Sequence, residues 1–278
     1  MIKNILNIVF ILSAFSNLLF AQNELSRQRD FANNLFEEGL FFDAVTEYKR
    51  LQYFDKNKIY EYDSNYKIAL SYKRGTKFDE AINYFSKAVL SSRTDEEKFE
   101  THVQIIRTNI LRKTTDRAFQ LLNELDKSAS YTQKKEINYW RGWTYMFADK
   151  WDSAAFYFSL VDYDHELKNL ANDVKNDKYS VTFAKVISYI LPGPGQFYTG
   201  NYLSGLMSLG WTALWGYLTV DAIIDERVFD AFAIGDLLFL RFYRGNIQNA
   251  EKFAVEKNIE IANKTLRYLQ NNYKGIKP

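Results

Sequence analysis

Four alanines, Ala44, Ala81, Ala118 and Ala154, stand 37, 37 and 36 residues apart, each inside the same kind of phrase. Ahead of them come Gly39, Gly75 with Phe78, Thr115, and Asp149 with Trp151. Four residues after them come Tyr48, Phe85, Leu122 and Phe158. Side chains four apart share one face of a helix, so each phrase pairs a small residue with a large one on the same face. From Glu24 to about Val161 apolar residues recur at three and four, with no strand alternation. A helix pair of this length cannot bury its apolar face alone, so about three or more copies must stack. Three Pro and twelve Gly are too few for a turn-rich all-β chain. The 17% aromatic content supplies flat rings to fill the spaces between helices. The expected fold class is all-α.

These phrases resemble the tetratricopeptide repeat family. The preceding helices fit the same pattern, with Ile68, Ala69 and Tyr72 in the second copy and Gly142 with Tyr145 in the fourth. The period is two or three residues longer than that family's usual 34, which implies longer turns between repeats. The family's late prolines are not present. The resemblance implies a short right-handed solenoid over residues 22–180, closed by a capping helix from about Glu166 to Tyr179. It also implies a protein or peptide partner on the concave face, with a plain spacer as the other reading.

The first 21 residues read as a secretory signal. Lys3 gives a positive start, Ile5 to Phe20 is largely apolar, and Ala21 precedes polar sequence. Leu19 departs from the small residue preferred before the cut, so an uncleaved anchor is the alternative. Either way the repeats are expected outside the cytoplasm, in a bacterial cell envelope on the periplasmic side.

Near Lys178 to Ser180 the composition changes. Residues 181–248 are apolar, and Pro192, Gly193, Gly195, Gln196, Tyr198 and Gly200 form a motif before Tyr202–Ile224. That stretch has 23 residues with Asp221 its only charge, long enough as a helix for about 34 Å. Asp225, Glu226 and Arg227 make a charged turn, and Val228 to Tyr243 returns. The motif, with Gly205 and a later Tyr243-x-Gly245-Asn246, resembles a bacterial family of two-helix membrane hairpin domains. The resemblance implies an embedded hairpin entered through a bend at Pro192–Gly200. Two features oppose a full crossing. Asp236 stands mid-way in the second segment, where a carboxylate is costly in hydrocarbon. The region Gly245–Pro278 holds six Lys/Arg against three Glu, which favours the reverse of the exported orientation. A partly embedded hairpin and a soluble aromatic core are the alternatives. Residues 249–278 should end the chain as an amphipathic helix with a seam of Val255, Ile259, Ala262, Leu266 and Leu269, docked on its own chain.

Site chemistry is sparse. Without cysteine there is no disulfide, thiolate ligand or thiol nucleophile. A net charge of +2 without a basic block gives no sign of nucleic-acid binding. His102 and His165 are the only histidines, and neither has a ligand partner at helical spacing. No catalytic, cofactor or metal residue is expected. Asp221 and Asp236 are the candidate polar pair within the apolar part. The expected function is a non-enzymatic envelope scaffold or adaptor, holding a protein or peptide partner and tethered by the hairpin. The alternatives are a soluble periplasmic binding module and a transport accessory using Asp221 and Asp236.

Overall fold

The structure, a computed structural model, describes residues 24–278. The expected signal at residues 1–21 lies outside the described residues. All regular structure among the described residues is helical. The chain divides into two compact units, one ending at Lys168 and one running from Asn169 to Lys277.

The first unit contains α1 (residues 24–37), α2 (Phe41–Phe54), α3 (Glu61–Arg74) and α4 (Phe78–Ser91). These are followed by α5 (Asp95–Leu111), α6 (Thr115–Asp126), α7 (Tyr131–Phe147) and α8 (Trp151–Val161), and α9 (Glu166–Asp177) crosses the division. From α2 to α8 each helix packs on the next, and α5 also touches α7. Odd-numbered helices lie beside one another. Tyr62 of α3 shares a 3.2 Å hydrogen bond with Thr101 of α5, and Arg107 of α5 sits 4.7 Å over the Trp140 ring of α7.

Two turn devices alternate along this unit. Gly39, Thr76, Lys113 and Asp149 all have positive φ, between 59° and 81°. The amide after each bonds back five residues: Leu40 to the Leu35 carbonyl, Lys77 to Tyr72, Thr114 to Asn109 and Lys150 to Tyr145, at 2.8–3.0 Å. This left-handed cap satisfies the carbonyls that end one helix and launches the next. The other connections use side chains. Asp55 accepts from the amides of Ile59 and Tyr60 before α3, Thr94 caps α5, and Ser130 with Gln133 forms a capping box on α7.

Only Gly39 adopts the left-handed conformation without steric cost, and Thr76 is β-branched, the worst type for it. Thr76→Gly is therefore expected to stabilise the unit by about 1 kcal/mol. Urea unfolding checks this, and an unchanged or lower midpoint would count against the turn argument.

The repeated positions are all interior. Ala44, Ala81, Ala118 and Ala154 are fully buried, as are Phe85 and Phe158, with Tyr48 and Leu122 nearly so. Close approach is needed elsewhere too. A Cβ on Gly142 of α7 would lie 2.8 Å from the Phe158 ring of α8.

The second unit holds α10 (Val181–Ile190), α11 (Pro194–Tyr198), α12 (Tyr202–Ile224) and α13 (Val228–Phe232). A π-helical stretch, Ala233–Phe239, then leads without a break into α14 (Leu240–Asn272). α10 packs on α14 and α11, and α12 packs on the π stretch, α13, α14 and α11. The left-handed cap recurs here at Gly200 and Glu226.

Three expectations change in this unit. First, no described helix is long and apolar enough to cross a membrane. α12 has the length, but its Gly, Ser, Thr, Trp and Tyr residues dilute the leucines. Second, the returning limb and the tail are one helical run, so residue 249 starts no element. Third, the tail seam is buried only at its far end. Val255 and Ile259 are exposed and Leu269 is buried, while upstream the buried residues are Asn246, Ile247, Ala250 and Ala254. The earlier start of α14 sets the phase, and small Ala250 and Ala254 lie on its buried side.

Candidate functional site

The Pro192–Gly200 motif forms a junction where three helices meet. Pro194 opens α11, where its missing amide costs nothing. Gly193 has φ 103°, and a Cβ there would lie 2.7 Å from the Gly205 carbonyl oxygen. A Cβ on Gly195 would run into the Ser188 hydroxyl, the Ala184 carbonyl and Ala250 Cβ. The two glycines thus let α11 press against α10, α12 and α14 together.

Asn246 is the polar centre of this junction, and it is 1% exposed. Its Oδ1 accepts from the Gly193 amide and from Gln196 Nε2, both at 2.9 Å. Its Nδ2 donates to the Ser188 carbonyl at 3.0 Å. Gln196 Nε2 also donates to the Asn246 carbonyl and to Ser208 Oγ. Tyr198 Oη accepts from the Ser180 amide at 3.0 Å, and its ring meets Tyr179 and Phe183 edge-on. Gly200 supplies the turn into α12, and Pro192 is half-buried. The motif residues are thus absorbed by hydrogen bonding and packing within the unit. The sequence reading passed over Ser188 and noticed Asn246 without a role.

Beside the junction lies a groove of about 620 Å³ lined by Ser208, Trp211, Asp236, Arg241, Phe242 and Arg244, among others. Trp211 and Trp215 stack with Phe242 at 5.7 and 6.3 Å. Asp236, the carboxylate mid-way in the returning segment, is exposed at this groove. Asp221 is elsewhere, bonded to Arg227 at 2.8 Å, and that arginine also meets Asp225 and Asp230. No hydrogen bond links the two aspartates, and their surroundings differ.

In the first unit a cluster of cations gathers on α3 and α5. Lys73 donates to Gln104 Oε1 at 3.2 Å. Burial, followed by the charges of Arg107 and Arg74, lowers the Lys73 ammonium to about 7. Burial also lowers Arg107. The charges felt by Lys73 are thus repulsive, while its hydrogen bond is to a neutral amide.

His165 stacks on Phe158 at 5.3 Å and accepts from the Leu167 amide, with its pKa lowered mainly by burial. His102 Nδ1 lies 2.7 Å from the Lys98 carbonyl. Among the described residues no three His, Cys, Asp or Glu side chains gather as a metal site. No family model, curated protein or solved structure matches the chain.

Proposed function

We propose that this chain is a non-enzymatic adaptor of the cell envelope. The first unit acts as a tetratricopeptide-like repeat solenoid that holds a protein partner, and the second unit attaches it to a lipid surface. The repeat reading is supported by the left-handed caps at residues 39, 76, 113 and 149, which keep the same 37, 37 and 36 spacing as the buried alanines. The observation that carries the partner reading is the cation cluster of Lys73, Arg74 and Arg107. Burial and the charges of Arg107 and Arg74 weigh on the Lys73 ammonium, whose hydrogen bond is to the neutral Gln104, so an added anion would relieve that cost. Arg107 lies over the buried Trp140 ring of the next odd helix, which holds its guanidinium in place. A segment rich in Asp and Glu fits such a face.

The test is a peptide array probed with the full chain and with a Lys73→Glu/Arg107→Glu double variant. Acidic peptides are expected to bind the parent at least ten times better than the variant. Equal retention by both proteins would remove the cluster from the partner site.

A further inference from the structure

The second unit leaves an apolar surface that its own helices do not cover. α12 buries a narrow stripe of small residues, Gly205, Thr212 and Ala222. Around the rest of it Leu203, Met207, Leu214, Val220 and Ile223 are exposed. At about 100° per residue, α12's exposed apolar side chains sweep over about two thirds of the helix circumference. The returning limb adds Val228, Phe229 and Phe232, and Phe229 is 82% exposed. A folded partner or a second copy covers one face of a helix, whereas acyl chains close around every open side. Since no described helix can cross a bilayer, those chains must be met from within one leaflet.

The groove adds the charge. It lies beside the first half of α12, away from the turn at Asp225–Arg227. Arg241 and Arg244 line it, three residues apart on α14 and hence on one face. Neither forms an ion pair among the described residues, and Asp236 is the one carboxylate on the lining. The hairpin turn is the opposite: Asp221, Asp225 and Asp230 crowd around a single Arg227. Positive charge and apolar surface therefore coincide at the groove and not at the turn. Exposed Tyr202 and half-exposed Trp211 stand at the same end, where amphipathic rings suit headgroup depth.

We propose that the groove takes the phosphate of an anionic phospholipid. Arg241 and Arg244 hold the headgroup while the acyl chains lie along the open sides of α12, and the unit sits in one leaflet. Arginine suits this task because its planar fork donates two hydrogen bonds to one phosphate. The proposal rests on the reading of the second unit as the lipid attachment, and it adds which lipid is bound and how deep the unit goes.

Flotation of the full chain with phosphatidylglycerol-containing vesicles and with pure phosphatidylcholine vesicles tests it. The parent is expected to bind the anionic vesicles at least ten times more tightly. Arg241→Gln/Arg244→Gln should erase that preference while leaving residual binding to both vesicles. Phe229→Ser/Phe232→Ser should weaken binding to both. Brominated acyl chains should quench the fluorescence lost in Trp211→Phe, and more strongly from shallow positions than from deep ones. Equal binding of the parent to both vesicles would overturn the headgroup site and keep the attachment. Binding to neither would overturn both. Competition by inorganic phosphate without vesicle binding would assign the groove to a free anion. A dimer without lipid, abolished by Phe229→Ser/Phe232→Ser, would give the surface to a second copy.

Discussion

Asn246→Leu is expected to destabilise the second unit by about 3–5 kcal/mol, the largest loss for any single polar residue in it. The substitution removes the acceptor for the Gly193 amide and for Gln196 Nε2, and the donor to the Ser188 carbonyl. The Gly193 amide and the Ser188 carbonyl lose their partner at buried residues, where solvent is a poor replacement. A leucine has the same branching, though it is bulkier, and supplies apolar area but leaves these groups orphaned, each costing about 1–3 kcal/mol. Asn246→Asp should fall between, since a carboxylate still accepts but cannot donate to Ser188. Hydrogen exchange should show early loss of protection in α10 and α11, with α3–α6 unchanged. Retained protection in α10 and α11 would show that the junction is held by packing alone.

Lys73→Met is expected to act in the other direction, raising stability by about 1–3 kcal/mol at neutral pH and below. The folded ammonium titrates at about 7 against 10.5 for an unperturbed lysine, mainly through burial and then through Arg107 and Arg74. Between those values the unfolded chain carries a proton that the folded chain does not. Stability of the parent should therefore rise with pH from about 7 to 10.5, while below 7 the penalty is constant. Methionine fills the same slot without a charge, at the loss of the Gln104 hydrogen bond. Its advantage should be fullest below pH 7 and vanish by about 10.5. Urea midpoints across that range read it directly, and an advantage independent of pH would separate it from the ammonium. The same variant should lose acidic peptides, so one residue would set stability against binding.

What the residues disclosed follows from how local each cause is. The alanine period was readable because a small residue and a large one four places on sit on one helix. The left-handed caps at Thr76, Lys113 and Asp149 were hidden, since glycine is the usual sign and only Gly39 carries it. Thr94 and Ser130 begin helices in a way that sequence displays plainly. The Asn246 centre was not readable because its partners lie 50 to 58 residues away. The first half of the tail face was misread because its phase is set upstream, across the π-helical stretch. The crossing was overestimated from length and charge, before the small and aromatic residues of α12 were weighed.

The reach of Asn246 also sets an order of events. In the first unit each cap closes within five residues, so a helix pair can settle as soon as its own chain emerges during synthesis. The junction in the second unit must wait until residue 246 has been made, and closing so long a loop costs entropy first. Through that interval α10, α11 and α12 exist as apolar helices without their closing partner. The nascent chain is then most exposed to aggregation just before residue 246 is added. A lipid surface or a chaperone present at that moment would shield α12 before the fold does.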